Sequence, residues 1–108
     1  MKGTYLGEFE ELVLLTVASL YKEAYGVGIK KSLHEQVGRK VTLSTVHAAL
    51  HRLEKKGFLR SQFGEATKVR GGKRKKYFTL TAAGTEALQT ARIVRNKLWD
   101  SIPPAALS

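Results

Sequence analysis

Apolar residues recur at helical spacing in four stretches of the chain and cluster in two shorter, strand-like runs between the third and the fourth. From about Glu8 to Lys22, Phe9, Leu12, Val13, Thr16 and Leu20 fall on one helical face, with Leu15, Val17 and Tyr21 widening it. Glu8, Glu10 and Glu11 in the first turn oppose the positive end of the helix dipole, and Ala24-Tyr25-Gly26 ends the helix. A second helix is predicted from Gly26 or Val27 to about Gln36. Ile29, Leu33 and Val37 face inward, and Lys30, Lys31, His34 and Glu35 face water. Gly38-Arg39-Lys40 then breaks the pattern, and Val41 turns inward before a third helix.

That third helix starts with Thr42 as N-cap and is anchored by the i, i+3, i+4, i+7 stripe of Val46, Ala49, Leu50 and Leu53. Lys55 and Lys56 suit its negative end, and Gly57 its left-handed cap. Phe58 to Gly64 and Lys76 to Thr81 read as the strands of a hairpin that must lean on the helices to be stable, with Phe58, Leu59, Phe63, Tyr77, Phe78 and Leu80 as its apolar residues. Thr81 caps a fourth helix, Ala82 to about Trp99. There Ala87, Ala91, Val94 and Leu98 repeat near the 3.5-residue period, with Leu88 and Trp99 beside them. Pro103-Pro104 follows, and residues 101–108 read as a loose tail.

The outer face of the third helix offers Ser44, Thr45, His47, Ala48, His51 and Arg52, mostly short or hydrogen-bonding side chains that let a helix approach base edges. Behind it, the hairpin loop carries Lys68, Arg70, Lys73, Arg74, Lys75 and Lys76, with Gly71-Gly72 near its tip. A small polar helix face backed by a cationic hairpin outlines a winged helix-turn-helix, the helix entering a major groove and the wing following phosphates. The fold class expected is mostly α with a small β-hairpin. Residues 1–81 form the DNA-binding domain, residues 82–100 a C-terminal dimerisation helix, and residues 101–108 a flexible tail.

Charge sharpens this picture. The net charge is +10, but residues 1–25 carry −2, residues 26–60 carry +6, residues 61–80 carry +5 and residues 81–108 carry +1. The excess sits on the recognition-type segment, where it can neutralise phosphates and release counterions. At 108 residues the chain makes one domain. Cysteine is absent, no apolar run reaches a membrane span, and the N-terminus lacks an apolar signal core, so a cytoplasmic protein is expected.

Enzyme chemistry finds no foothold, since no paired carboxylates accompany a nucleophile and no serine-histidine-acid set can be argued from spacing. Gly71-Gly72-Lys73 lacks the spacer and following Ser or Thr of a P-loop. His47, His51 and Glu54 share a face but lack the Glu of the zinc-protease helix, so they read as groove-facing and no metal or cofactor is predicted. Thr42, Ser44, Thr45, His47 and His51 are the expected groove contacts, and Lys68, Arg70, Lys73, Arg74 and Lys75 the expected phosphate contacts. A stripe on a helix reaching beyond a small domain calls for a partner, and self-pairing is the economical one. Phe9, Leu12, Ala87, Ala91, Val94, Leu98 and Trp99 are its expected interface. The indole of Trp99 also suits stacking on a flat aromatic ligand.

Three segments, in order, resemble the PadR-like transcriptional regulators, and in particular their short subgroup: Tyr25-Gly26-Val27-Gly28-Ile29, the run Leu43 to Leu59, and Gly72 to Gly84. The resemblance spans about residues 6 to 99. It implies a homodimeric winged helix repressor with the third helix in the major groove and the first and fourth helices at the interface. It also implies relief by an effector such as a flat aromatic compound, which on this chain points at Trp99, Leu98 and Asn96. One departure is His47, where the family pattern most often has Tyr, which puts any phosphate contact by that phenol in question. The short fourth helix excludes the larger C-terminal domain of long family members. The function expected is therefore a sequence-specific regulator that binds a near-palindromic operator, with half-sites roughly 10 base pairs apart. The alternatives are a non-specific RNA- or DNA-binding architectural protein, or a protein-interaction module without operator binding.

Overall fold

The computed structural model describes residues 5–64 and 74–108. Helix α1 (Glu8–Leu20) ends in a 3-10 turn, Tyr21–Glu23, and α2 (Gly26–Ser32) runs on into a π-type turn, Leu33–Val37. Helix α3 (Leu43–Lys55) leads to the hairpin of β1 (Leu59–Phe63) and β2 (Lys76–Leu80), followed by α4 (Ala82–Asp100) and a short α5 (Pro104–Leu107). The last element puts a helical turn where a loose tail was expected.

The core forms where α1, α2, α3 and the hairpin converge. Leu14 and Val17 of α1 meet Ile29 of α2, Leu33 of the turn that follows it, and Leu50 and Leu53 of α3, with Phe58, Leu59 and Phe78 closing the hairpin side. On α3 the predicted stripe of Val46, Ala49, Leu50 and Leu53 is buried as expected. On α1 the face is turned from the predicted one. The buried stripe is Glu10, Val13, Leu14 and Val17, an i, i+3, i+4, i+7 set, with Thr16 beside it. The carboxylate at position 10 masks this stripe in the sequence. Leu15 and Tyr21, expected to widen the apolar face, are exposed. So is Val37, because the wider π-type turn rotates it off the Ile29–Leu33 face.

The hairpin pairs antiparallel from Leu59↔Leu80 to Phe63↔Lys76. It is not left to itself. The Phe78 N–H donates to the Ala24 carbonyl at 2.8 Å and Tyr25 bridges to Tyr77, so the segment after α1 braces the open edge of β2. Leu59 is buried, but Phe63 at the far end of β1 is exposed instead of leaning on the helices. Gly38 and Gly57 both take positive φ, as the breaks after α2 and α3 require.

Thr81 couples α4 to the turn before β1. Its Oγ1 accepts from the Gly84 N–H at 3.0 Å and donates to the Gly57 carbonyl, as the predicted cap demands. A Cβ on Gly84 would collide with the Phe58 carbonyl oxygen, so this helix start can approach only through glycine. Ala87 and Leu88 still pack on the core and Arg95 reaches Glu11 of α1, and the C-terminal part of α4 then projects from the body. The only buried residue of α4 is Gly84, and the molecule extends 61 Å along its longest axis against 30 and 21 Å across.

Candidate nucleic-acid interface

The N-terminus of α3 carries a cluster of hydroxyls. Thr42 Oγ1 accepts from the Thr45 N–H at 3.1 Å and lies 3.0 Å from Ser44 Oγ and 2.9 Å from Thr45 Oγ1. Thr42 is therefore the cap and an organiser of its neighbours, and all three residues are exposed. Further along the face, His47 and His51 are exposed one turn apart. His47 lies across the start of α2, where a Cβ on Gly26 would come within 2.8 Å of its Cε1. The glycine of Tyr25-Gly26 thus makes the room that lets α3 cross α2 this closely. His51 and Glu54 border a shallow pocket between α3 and β2 with His47 and Lys76. Glu54 accepts a 2.6 Å hydrogen bond from Ser61 of β1, which commits it to holding the wing. Among the described residues no group of three His, Asp or Glu side chains is placed to hold a metal ion.

Arg52, read in the sequence as part of the outer face, is engaged elsewhere. Its Nε donates to Glu10 at 3.1 Å, and Lys56 Nζ reaches the same carboxylate at 2.7 Å. The Gly7 N–H adds a third donor at 3.0 Å. Burial opposes the charge on Glu10, but the bonds from Lys56, Gly7 and Arg52 outweigh it and hold the carboxyl below its usual range. This hub, which fixes the C-terminal half of α3 on α1, was missed in the sequence. Its available signal was Arg52 and Lys56 spaced four apart, on the edge of α3 that meets the acid-rich start of α1.

On the wing, Lys68, Arg70 and Lys73 lie outside the described residues. Arg74 Nε donates to the Gly64 carbonyl at 2.9 Å and its guanidinium stands over Phe63, which explains why that ring stays at the surface. Lys75 Nζ sits 4.2 Å from the centre of the Tyr25 ring, and Tyr25 meets Tyr77 edge to face at 5.7 Å. Gly64 leaves space for the Tyr77 ring at the base of the wing. Arg74 and Lys75 are exposed, and Lys76 is the hairpin cation that lines the pocket beside His47 and His51 of α3.

The predicted partner surface divides. Phe9, Leu12 and Ala87 pack partly against the core, and Ala91 is half-buried. Val94, Leu98 and Trp99 are 52%, 64% and 64% exposed, and Ile93, absent from the predicted stripe, is 66% exposed. Asn96 is also exposed. Arg95 forms a paired contact with Glu11 at 2.7 and 2.9 Å, tying the middle of α4 to α1.

The family model for the "Transcriptional regulator PadR-like family" matches residues 14–90. That match covers the helix-turn-helix, the wing and the first half of α4. The chain belongs to the PadR-like family. It is thus placed among transcriptional regulators. Solved structures agree on the fold. A PadR family transcription regulator from a hypervirulent Clostridium difficile strain is 25% identical with a TM-score of 0.71, covering 87% of this chain and 93% of that one. A PadR family transcriptional regulator from Eggerthella lenta is 29% identical with a TM-score of 0.66, covering 86% and 80%. Bacillus subtilis PadR, solved in complex with operator DNA, is 23% identical with a TM-score of 0.65, covering 79% of this chain and 47% of that one. No curated protein matches the chain. Among the described residues of this PadR-like chain, no helix is long and apolar enough to cross a membrane.

Proposed function

We propose that this PadR-like chain is a cytoplasmic homodimeric repressor that reads a near-palindromic operator with α3 and grips the backbone with its wing. The observation that carries the reading is the exposed run of Ser44, Thr45, His47 and His51 along one face of α3, with the hairpin cation Lys76 lining the same pocket as His47 and His51. Short hydroxyls and imidazoles hydrogen-bond base edges, while the wing cations supply the salt-dependent part of affinity. Lys68, Arg70 and Lys73 extend that cationic role along the loop. Operator DNA bound to Bacillus subtilis PadR supports the choice of ligand.

Dimerisation rests on α4. Ile93, Val94, Leu98 and Trp99 expose apolar surface on the C-terminal part of α4, and a second copy is the partner of matching chemistry. An open groove along α1, lined in part by Leu12, Leu15 and Leu20, offers that copy a seat. Trp99, with Leu98 and Asn96 nearby, is the stacking surface for a flat aromatic effector that relieves repression.

Selection from random duplexes tests the reading. The expected winner is an inverted repeat with half-sites roughly 10 base pairs apart, bound about a thousandfold more tightly than a scrambled duplex at physiological salt. An absence of any enriched motif, with affinity collapsing as salt rises, would overturn it in favour of a sequence-blind architectural protein.

A further inference from the structure

We propose that Lys30, Lys31, His34 and Lys40 form a second phosphate site, which takes a backbone phosphate of the bound duplex outside the groove entered by α3. The inference rests on the DNA-binding reading above and adds a contact that the α3 face and the wing do not supply. Lys30, Lys31 and His34 lie on one side of α2 and its π-type extension, spaced so that they share a face with Val27. Lys40 and Val41 approach from the turn that leads into α3, and together these six residues enclose an open pocket of about 270 Å³. No carboxylate lines it.

Charge makes the pocket unusual. Among the described residues, Glu8, Glu10 and Glu11 are spent on Arg39, Arg52, Lys56 and Arg95, and none of the four basic groups of the pocket makes an ion pair. Like charges gathered without a counter-acid repel one another, and a bound anion relieves that repulsion. Lys31 also borders the groove on the far side of α2, beside Glu23 and Glu35, so Lys30 and Lys40 are the charges given wholly to this pocket. Flexible ammonium groups suit a phosphate as point charges, with no demand for planar pairing.

Position selects DNA as the source of the phosphate. Lys40 stands two residues before Thr42, the cap of α3, and Val27 follows Gly26, on which His47 rests. The pocket therefore flanks the N-terminal half of α3. Lys75 reaches the N-cap of α2 at Tyr25, so wing cations and pocket cations both border α2. A duplex whose groove holds α3 brings its backbone against this edge.

The test compares wild type, K30Q/K40Q and R74A/K75A on the selected operator with long flanks, titrated against salt. K30Q/K40Q alters exposed side chains, and thermal melting checks that it folds. Its expected effect is a salt slope lower by about one per protomer, at about 0.9 per phosphate neutralised, with roughly tenfold weaker binding at low salt on every sequence. A scan of single uncharged methylphosphonate linkages should then find a flanking position that weakens wild type but not K30Q/K40Q. A lowered slope in R74A/K75A with a wild-type slope in K30Q/K40Q would overturn this inference alone. Wild-type slopes in both would overturn it together with the wing as a phosphate contact.

Discussion

Glu10 shows how one buried charge can orient a reading helix. It is 6% exposed and accepts from Lys56, Arg52 and the Gly7 N–H, so the end of α3 is set by a carboxylate on α1. Replacing it with Gln keeps the shape but leaves two cations without their counter-charge. The expected loss is about 1–2 kcal/mol in denaturant titration at neutral pH. Because the folded chain holds this carboxyl below its ordinary value of 4.5, its contribution is present above that value and lost as pH falls through the folded one. Stability of wild type and E10Q should therefore converge in acid, and a constant gap from pH 7 to pH 3 would contradict the assignment. Tyr21 illustrates the opposite economy. It closes α1 with φ 53 and ψ −109, a conformation that suits glycine, while its ring is 71% exposed. Y21G should raise stability by about 1 kcal/mol, read as a higher melting temperature, since relief of strain exceeds the packing lost.

The elements are joined by single residues that serve two structures at once. Thr81 caps α4 and bonds the Gly57 carbonyl behind α3, Ser61 of β1 bonds Glu54 of α3, and Tyr77 fills the space left by Gly64. The base of the hairpin is thereby fixed to α3 and to the start of α4. R74A/K75A should weaken binding to operator and scrambled duplex alike and lower the salt slope by about one to two per protomer, measured by fluorescence anisotropy. A change in preference between the two duplexes, with the slope intact, would move these residues from phosphate to base contacts. On the proposed reading the α3 face contributes discrimination rather than bulk affinity, because it offers hydrogen-bonding side chains to base edges.

At the scale of the whole molecule, the proposed dimer rests on α4, whose C-terminal part projects from the body. Ile93, Val94, Leu98 and Trp99 are exposed on a helix whose middle is held to α1 by Arg95 and Glu11. L98E places a charge within that apolar surface and should shift the chain from dimer to monomer in sedimentation velocity, with operator affinity falling by at least an order of magnitude as the paired half-sites are lost. A variant that stays dimeric would place the interface elsewhere. Much of this architecture was legible in the sequence, because periodicity reports local geometry directly. Thr42, Gly57 and Thr81 marked boundaries through their own backbone chemistry, and the α3 stripe was unbroken by charge. What remained hidden was whatever depended on a distant neighbour. Glu10 looked like a solvated first-turn acid until Arg52 and Lys56 came to it across 42 and 46 residues. Arg52 looked like part of the open outer face of α3 for the same reason, and Phe63 looked like an apolar residue leaning on the helices until Arg74 and Lys76 stood over its ring. The sequence by itself determined the helices, the hairpin, their order and the location of the basic surface, since each follows from spacing, capping and charge along the chain. Only the tertiary structure decided which face of α1 is buried, that Arg52 turns to Glu10 and where the α2 lysines meet Lys40, because a charged side chain takes its role from the partners that folding brings within reach.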